Sequence, residues 1–132
     1  MTATDADRSA ADVIWDLDPL LPTAGEEGIT RLLDDAEALL SECEAWRGRV
    51  AGIDADGLVA LIAALASIGD LVGRAESHAG LAFAADTTDP SLGARMRHVD
   101  ERATRIGTRL LFFELEWAAL DEAQADRKST RL

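Results

Sequence analysis

The chain has 132 residues, 48% hydrophobic but only 5% aromatic, with no Tyr, one Cys and a net charge of −12. That length suits one domain and not two. The acidic balance argues against a nucleic-acid binder, which needs a basic face for phosphates, and a single cysteine cannot form a disulfide within the chain.

With so few aromatic residues, Ala and Leu must fill the core, and both favour helix. The expected fold class is all-α: an antiparallel three-helix bundle-like domain over residues 13–125, preceded by an irregular docking arm. Charge is unevenly spread. Residues 1–90 hold 18 acidic side chains against 5 Arg, or −13, whereas residues 91–120 hold 5 Arg against 4 acids, or +1. The acidic part and the weakly basic part are expected to face each other or to be solvated.

Residues 1–12 are polar and expected to be disordered. They carry acids and no apolar stretch of the kind a secretory signal needs. Val13 to Pro22 holds two prolines, which argue against helix, and several large apolar side chains, which argue against free solvation. It reads as an arm whose Trp15 and leucines dock on the domain.

The first helix is expected from about Glu26 to Val50. Ile29, Leu32, Leu33, Ala36, Leu39, Leu40, Cys43, Trp46 and Val50 make one apolar face. Cys43 falls on that face and reads as a buried, inert thiol. The second helix is expected to start after Asp54 or Asp56, either of which can cap it. Its stripe runs from Leu58 to Phe83 and is interrupted by Gly69, Gly73 and Gly80, which suggests close approach of a neighbouring helix, with a local kink as the alternative. The uncharged run Gly57–Gly69 is too short to span a bilayer. Asp86-Thr87-Thr88-Asp89-Pro90 is a helix-start signal, with Asp89 as N-cap and Pro90 as first helical residue. The third helix has the clearest pattern. Leu92, Met96, Val99, Ala103, Ile106, Leu110, Phe113, Trp117 and Leu120 are spaced alternately four and three apart, a sustained heptad seam. It is expected to be the longest helix, with Leu111, Phe112 and Leu115 adding a second apolar face.

No catalytic, cofactor-binding or metal site is expected in this chain. Its histidines are His78 and His98, and neither is followed by Glu. A His-Glu-x-x-His zinc motif is therefore absent, as are a Glu-x-x-His di-iron pattern and a Gly-rich phosphate loop. Asp34, Asp35 and Glu37 read as a solvated face. Glu114 and Glu116 lie in an apolar stretch, where a buried carboxylate must be paired. A salt bridge to an Arg of the same domain is expected, with a place on a catalytic chamber wall as the alternative.

Three stretches, in order, resemble the N-terminal region of oligoendopeptidase F-like zinc metallopeptidases. Val13-Ile14-Trp15-Asp16-Leu17-Asp18-Pro19-Leu20 is similar to their V-x-W-D-L-x-x-L opening. Ser77-His78-Ala79, followed by Asp86-Thr87-Thr88-Asp89-Pro90, is similar to their Ser-Tyr-Ala helix end and D-T-x-D-P turn, with His78 where the family often has Tyr. Leu111-Phe112-Phe113-Glu114-Leu115-Glu116 is similar to their F-F-x-L-E segment. The resemblance implies a helical domain that forms one wall of a substrate channel. It also implies a parent in which a later catalytic domain binds one zinc and hydrolyses short peptides; the expected location, read from the N-terminus and the short uncharged run, is cytoplasmic. The missing catalytic domain is then the partner of this one, oligopeptides are the parent's substrates, and neither nucleic acid nor membrane is a partner.

Residues 126–132 look like translated sequencing-adapter DNA, and Lys128 is the only lysine. They are expected to be a non-native tail, with the domain cut before its catalytic part and Phe112, Leu115 or Trp117 left exposed. The alternative reading is a standalone helical adaptor or oligomerisation module that uses the third helix as a coiled coil.

Overall fold

The computed structural model describes residues 13–130. The disorder expected of residues 1–12 lies outside them, as do the last two residues of the 126–132 tail. Among the described residues the chain is all-helical, with α1 (Gly25–Glu44), α2 (Ala55–Ala85), α3 (Pro90–Ala118) and α4 (Glu122–Thr130). One-turn 3-10 segments lie at Asp18–Leu20 and Val50–Gly52.

The α1 helix buries Ile29, Leu32, Leu33, Ala36, Leu40 and Cys43, the face its periodicity marks. It stops at Glu44, short of the expected Val50. Gly48 takes φ +76°, in the left-handed region that suits glycine, and turns the chain. Val50 is nonetheless fully buried and Trp46 packs on the core, so the apolar stripe outlasts the helix.

Asp54, not Asp56, caps α2. Its carboxylate accepts a hydrogen bond from the Gly57 amide at 2.7 Å. At 31 residues α2 is longer than α3 with 29, contrary to the expectation for the third helix. Its interrupting glycines, Gly69, Gly73 and Gly80, are also not packing devices. A Cβ added to Gly69, Gly73 or Gly80 would meet nothing within 4 Å. Each glycine therefore costs helix propensity with no contact to offset it, and replacement by Ala should stabilise the fold by about 0.5–1 kcal/mol per site. Thermal unfolding of the single variants checks this. An 18-residue window of α2 has mean hydropathy 1.8 and is only 17% buried. By length and composition alone α2 is long and apolar enough to cross a membrane, which the shorter run Gly57–Gly69 did not indicate.

The α2–α3 turn is built from aspartates. Asp86 accepts from the Thr88 amide at 3.0 Å, and Asp89 from the Ser91 amide at 2.8 Å. Pro90 then occupies the first helical position, where a missing N–H costs nothing. From there α3 runs unbroken to Ala118. Val99 and Ile106 of its seam are buried, and Met96, Leu110, Phe113 and Trp117 pack against the same core.

Three ion-pair groups tie α1 to α3. Arg95 meets Glu26 at 3.7 Å, Arg102 meets Asp34 at 2.7 Å and Glu37 at 3.1 Å, and Arg109 meets Glu44. The three arginines are seven residues apart, and their partners advance along α1 in the same order. The two helices therefore run in the same direction, with the acidic and basic parts of the chain opposed. Asp34 and Glu37 are thus not merely a solvated face, because Arg102 holds both.

The fourth helix was not foreseen, for residues 122–130 have no apolar stripe. Lys128 Nζ donates to the Ile53 carbonyl at 2.8 Å, which links α4 to the start of α2. In the arm, Leu21 is buried and the Leu20 carbonyl accepts from Arg74 Nε at 2.9 Å. Trp15, by contrast, is 82% exposed.

Candidate functional site

The residues that could carry chemistry lie apart. His98 is exposed on α3, and Cys43 is buried on α1. Burial raises the Cys43 thiol pKa, and Glu42 and Glu44 push it the same way, so the thiol stays protonated and unreactive. Among the described residues no group of three or more His, Cys, Asp or Glu is placed to hold a metal ion. These residues do not fit the zinc that the family resemblance implies.

His78 is the buried titratable group of α2, and its Nδ1 is enclosed without a hydrogen-bond partner among the described residues. Burial lowers its pKa below the ordinary imidazole value of 6.5. Arg95 pushes it the same way, and Asp18 opposes. Because the folded pKa lies below the unfolded one, the unfolded chain binds the proton more readily. Stability is then complete above the unfolded value and falls as pH drops below it. Denaturant titrations between pH 7 and pH 5 should show this loss, and His78→Gln should flatten it.

Glu116 is half-buried and finds partners, though not the expected arginine. Its two oxygens accept from the backbone amides of Gly48 at 2.9 Å and Val50 at 3.3 Å. It thereby pins the α1–α2 link to α3. Glu114 is exposed. Sequence reasoning missed the Arg102 cluster, since its partners lie 65 and 68 positions away. Arginines at 95, 102 and 109, in step with the apolar seam, were the available signal.

The second apolar face of α3 divides. Leu111 and Leu115 are exposed. Phe112 is buried, with the Arg47 guanidinium 4.8 Å from its ring centre, and Trp117 is half-buried, stacked on Phe113 at 5.9 Å. The expected exposure thus holds for Leu115 and not for Phe112. Changing Leu111 and Leu115 to Glu should reduce hydrophobic-dye binding, with stability held within about 0.5 kcal/mol. Phe112→Ala should cost about 3 kcal/mol.

No known protein family, curated protein or solved structure matches the chain.

Proposed function

We propose that this chain is the N-terminal helical domain of an oligoendopeptidase F-like zinc metallopeptidase. The parent, a cytoplasmic enzyme, hydrolyses short peptides, and the residues that bind zinc and activate water belong to a later catalytic domain. In this reading α1, α2 and α3 form an antiparallel three-helix bundle-like domain, and residues 13–22 are its docking arm.

The observation that carries the reading is the turn Asp86–Pro90, which is similar to the family's D-T-x-D-P pattern. Each aspartate in it has a defined task. Asp86 binds both the amide and the hydroxyl of Thr88, and Asp89 does the same for Ser91. Pro90 needs no amide partner at the first helical position. The pattern therefore follows from the chemistry of joining two long helices, which gives a reason for a family to share it. Glu116, the acid of the segment similar to F-F-x-L-E, likewise has a structural task in holding the α1–α2 link. Exposed Leu111 and Leu115 offer a face for the rest of the parent chain. The α3 seam itself is packed in the core, which leaves it no free stripe for a coiled-coil partner.

The test is the source DNA beyond codon 125. An open frame that reaches His-Glu-x-x-His, with zinc-dependent peptide hydrolysis by the longer product and none by residues 1–132, supports the reading. A natural stop codon close to codon 125 overturns it and favours a standalone adaptor.

A further inference from the structure

The outer face of α2 bears Val59, Ile62, Ala63 and Ala66 near its start and Leu81 and Ala84 near its end, all exposed or half-exposed. From Val59 to Leu81 this face is about 33 Å long at 1.5 Å per residue. The arm widens it, since Trp15 and Ile14 line an apolar groove with Leu81 and Ala84. Among the described residues, six of the eight exposed large apolar side chains thus gather on α2 and beside it. Concentrations of this kind mark interaction surfaces, whereas single exposed apolar residues do not.

Asp70 decides what such a surface can take. It lies within the face, on the line that joins Val59 to Leu81 at helical spacing, and its side chain is 68% exposed. Among the described residues one charged group reaches it, Arg74 at 3.6 Å, and Arg74 is also engaged with the Leu20 carbonyl. The other exposed charges along the face, Asp56 and Glu76, and those at its Leu81 end, Asp16 and Asp86, are acidic, whereas Arg127 and Lys128 of α4 lie beside Asp54 and Ala55 at its start. A second copy of the chain would oppose carboxylate to carboxylate, and the net charge of −12 adds to the repulsion. A bilayer would have to take up Asp70 with only the Arg74 contact, and Glu76 with no ion-pair partner among the described residues.

We propose that this face docks a cationic amphipathic helix from another protein, with a Lys or Arg inside its apolar stripe set against Asp70. Leucine-type side chains of that helix cover Val59, Ile62 and Leu81, and the buried cation fixes its register. The inference does not rest on the peptidase reading.

The probes are three synthetic helical peptides of about 18 residues, long enough to cover most of the face. Each has one leucine stripe, with Arg, Leu or Glu at its centre. Binding to the isotope-labelled chain is followed by amide chemical shifts. The Arg peptide should perturb the outer face of α2 and bind at least about tenfold tighter than the Glu peptide. Asp70→Arg should reverse that order, Ile62→Asp should abolish binding, and Leu115→Asp on α3 should leave it unchanged. Equal binding of the three peptides overturns the proposal, as does a footprint on Leu111 and Leu115. So does self-association, or phosphatidylcholine vesicle binding, through α2. The Asp70→Arg swap keeps the test valid should Ile62→Asp fail to fold, because Asp70 is exposed and its contact with Arg74 is a surface pair of little worth to stability.

Discussion

Gly28→Ala should be among the most destabilising single substitutions in this chain, at about 3 kcal/mol, although it adds one methyl group to a helix. A Cβ at Gly28 would lie 1.8 Å from the Thr23 carbonyl oxygen, 2.9 Å from its carbonyl carbon and 3.1 Å from the Leu21 Cβ. The first two are backbone atoms, so no side-chain rotation relieves the clash. Residues 21–24 would have to swing away from α1. That movement takes Leu21 out of the core, a loss of about 2 kcal/mol of burial, and disturbs the Leu20 carbonyl that Arg74 holds. Guanidinium unfolding measures the effect. The comparison with Gly69→Ala is decisive, because the two changes are chemically identical and the expected shifts have opposite sign. A Gly28→Ala midpoint at or above that of the parent chain would show that the arm does not cross α1 this closely.

The same pair of glycines shows how much of the fold was legible in the sequence. In the sequence Gly28 and Gly69 look alike, each a small residue inside a helical pattern. One is required by a backbone crossing and the other touches nothing, and only the placement of Thr23 separates them. The α3 seam was legible because a heptad pattern depends on local periodicity alone. The capping role of Asp89, and that of one of Asp54 and Asp56, were legible because few residue types can bind the free amides of a first turn. The end of α1 was not. Trp46 and Val50 continue its stripe, and periodicity reports burial, not helical hydrogen bonding. A turn can aim side chains at the core as well as a helix can. Of the candidate site, the absence of zinc-binding motifs was read directly, but Glu116 was assigned the wrong kind of partner. Its apolar neighbours indicated that it needs one, and they could not indicate that the α1–α2 link would bring two amides to it.

The Arg102 cluster gives a second large effect, and its sign depends on which side is removed. The Arg102 side chain is only 10% exposed, whereas those of Asp34 and Glu37 are 62% and 40% exposed. Burial alone would depress the Arg102 pKa, but the hydrogen bonds it donates to Asp34 and Glu37 outweigh burial and hold the guanidinium above its ordinary value. Removing the arginine frees two carboxylates that water already reaches. Arg102→Met, which roughly keeps the volume, should therefore change stability by no more than about 1 kcal/mol, and a gain would be unsurprising. Removing both acids strands a buried cation. The double variant Asp34→Ala/Glu37→Ala should lose about 3 kcal/mol, near the low end for a broken buried pair because the guanidinium lies close to the surface. Adding Arg102→Met to that double variant should recover most of the loss, since the stranded charge is then gone. Chemical unfolding of the wild-type chain and the three variants completes the cycle. Equal losses from Arg102→Met and from the double acid variant would mean that α1 and α3 are held by the ion pair itself, and the packing of Val99 and Ile106 beside it would then be the weaker link.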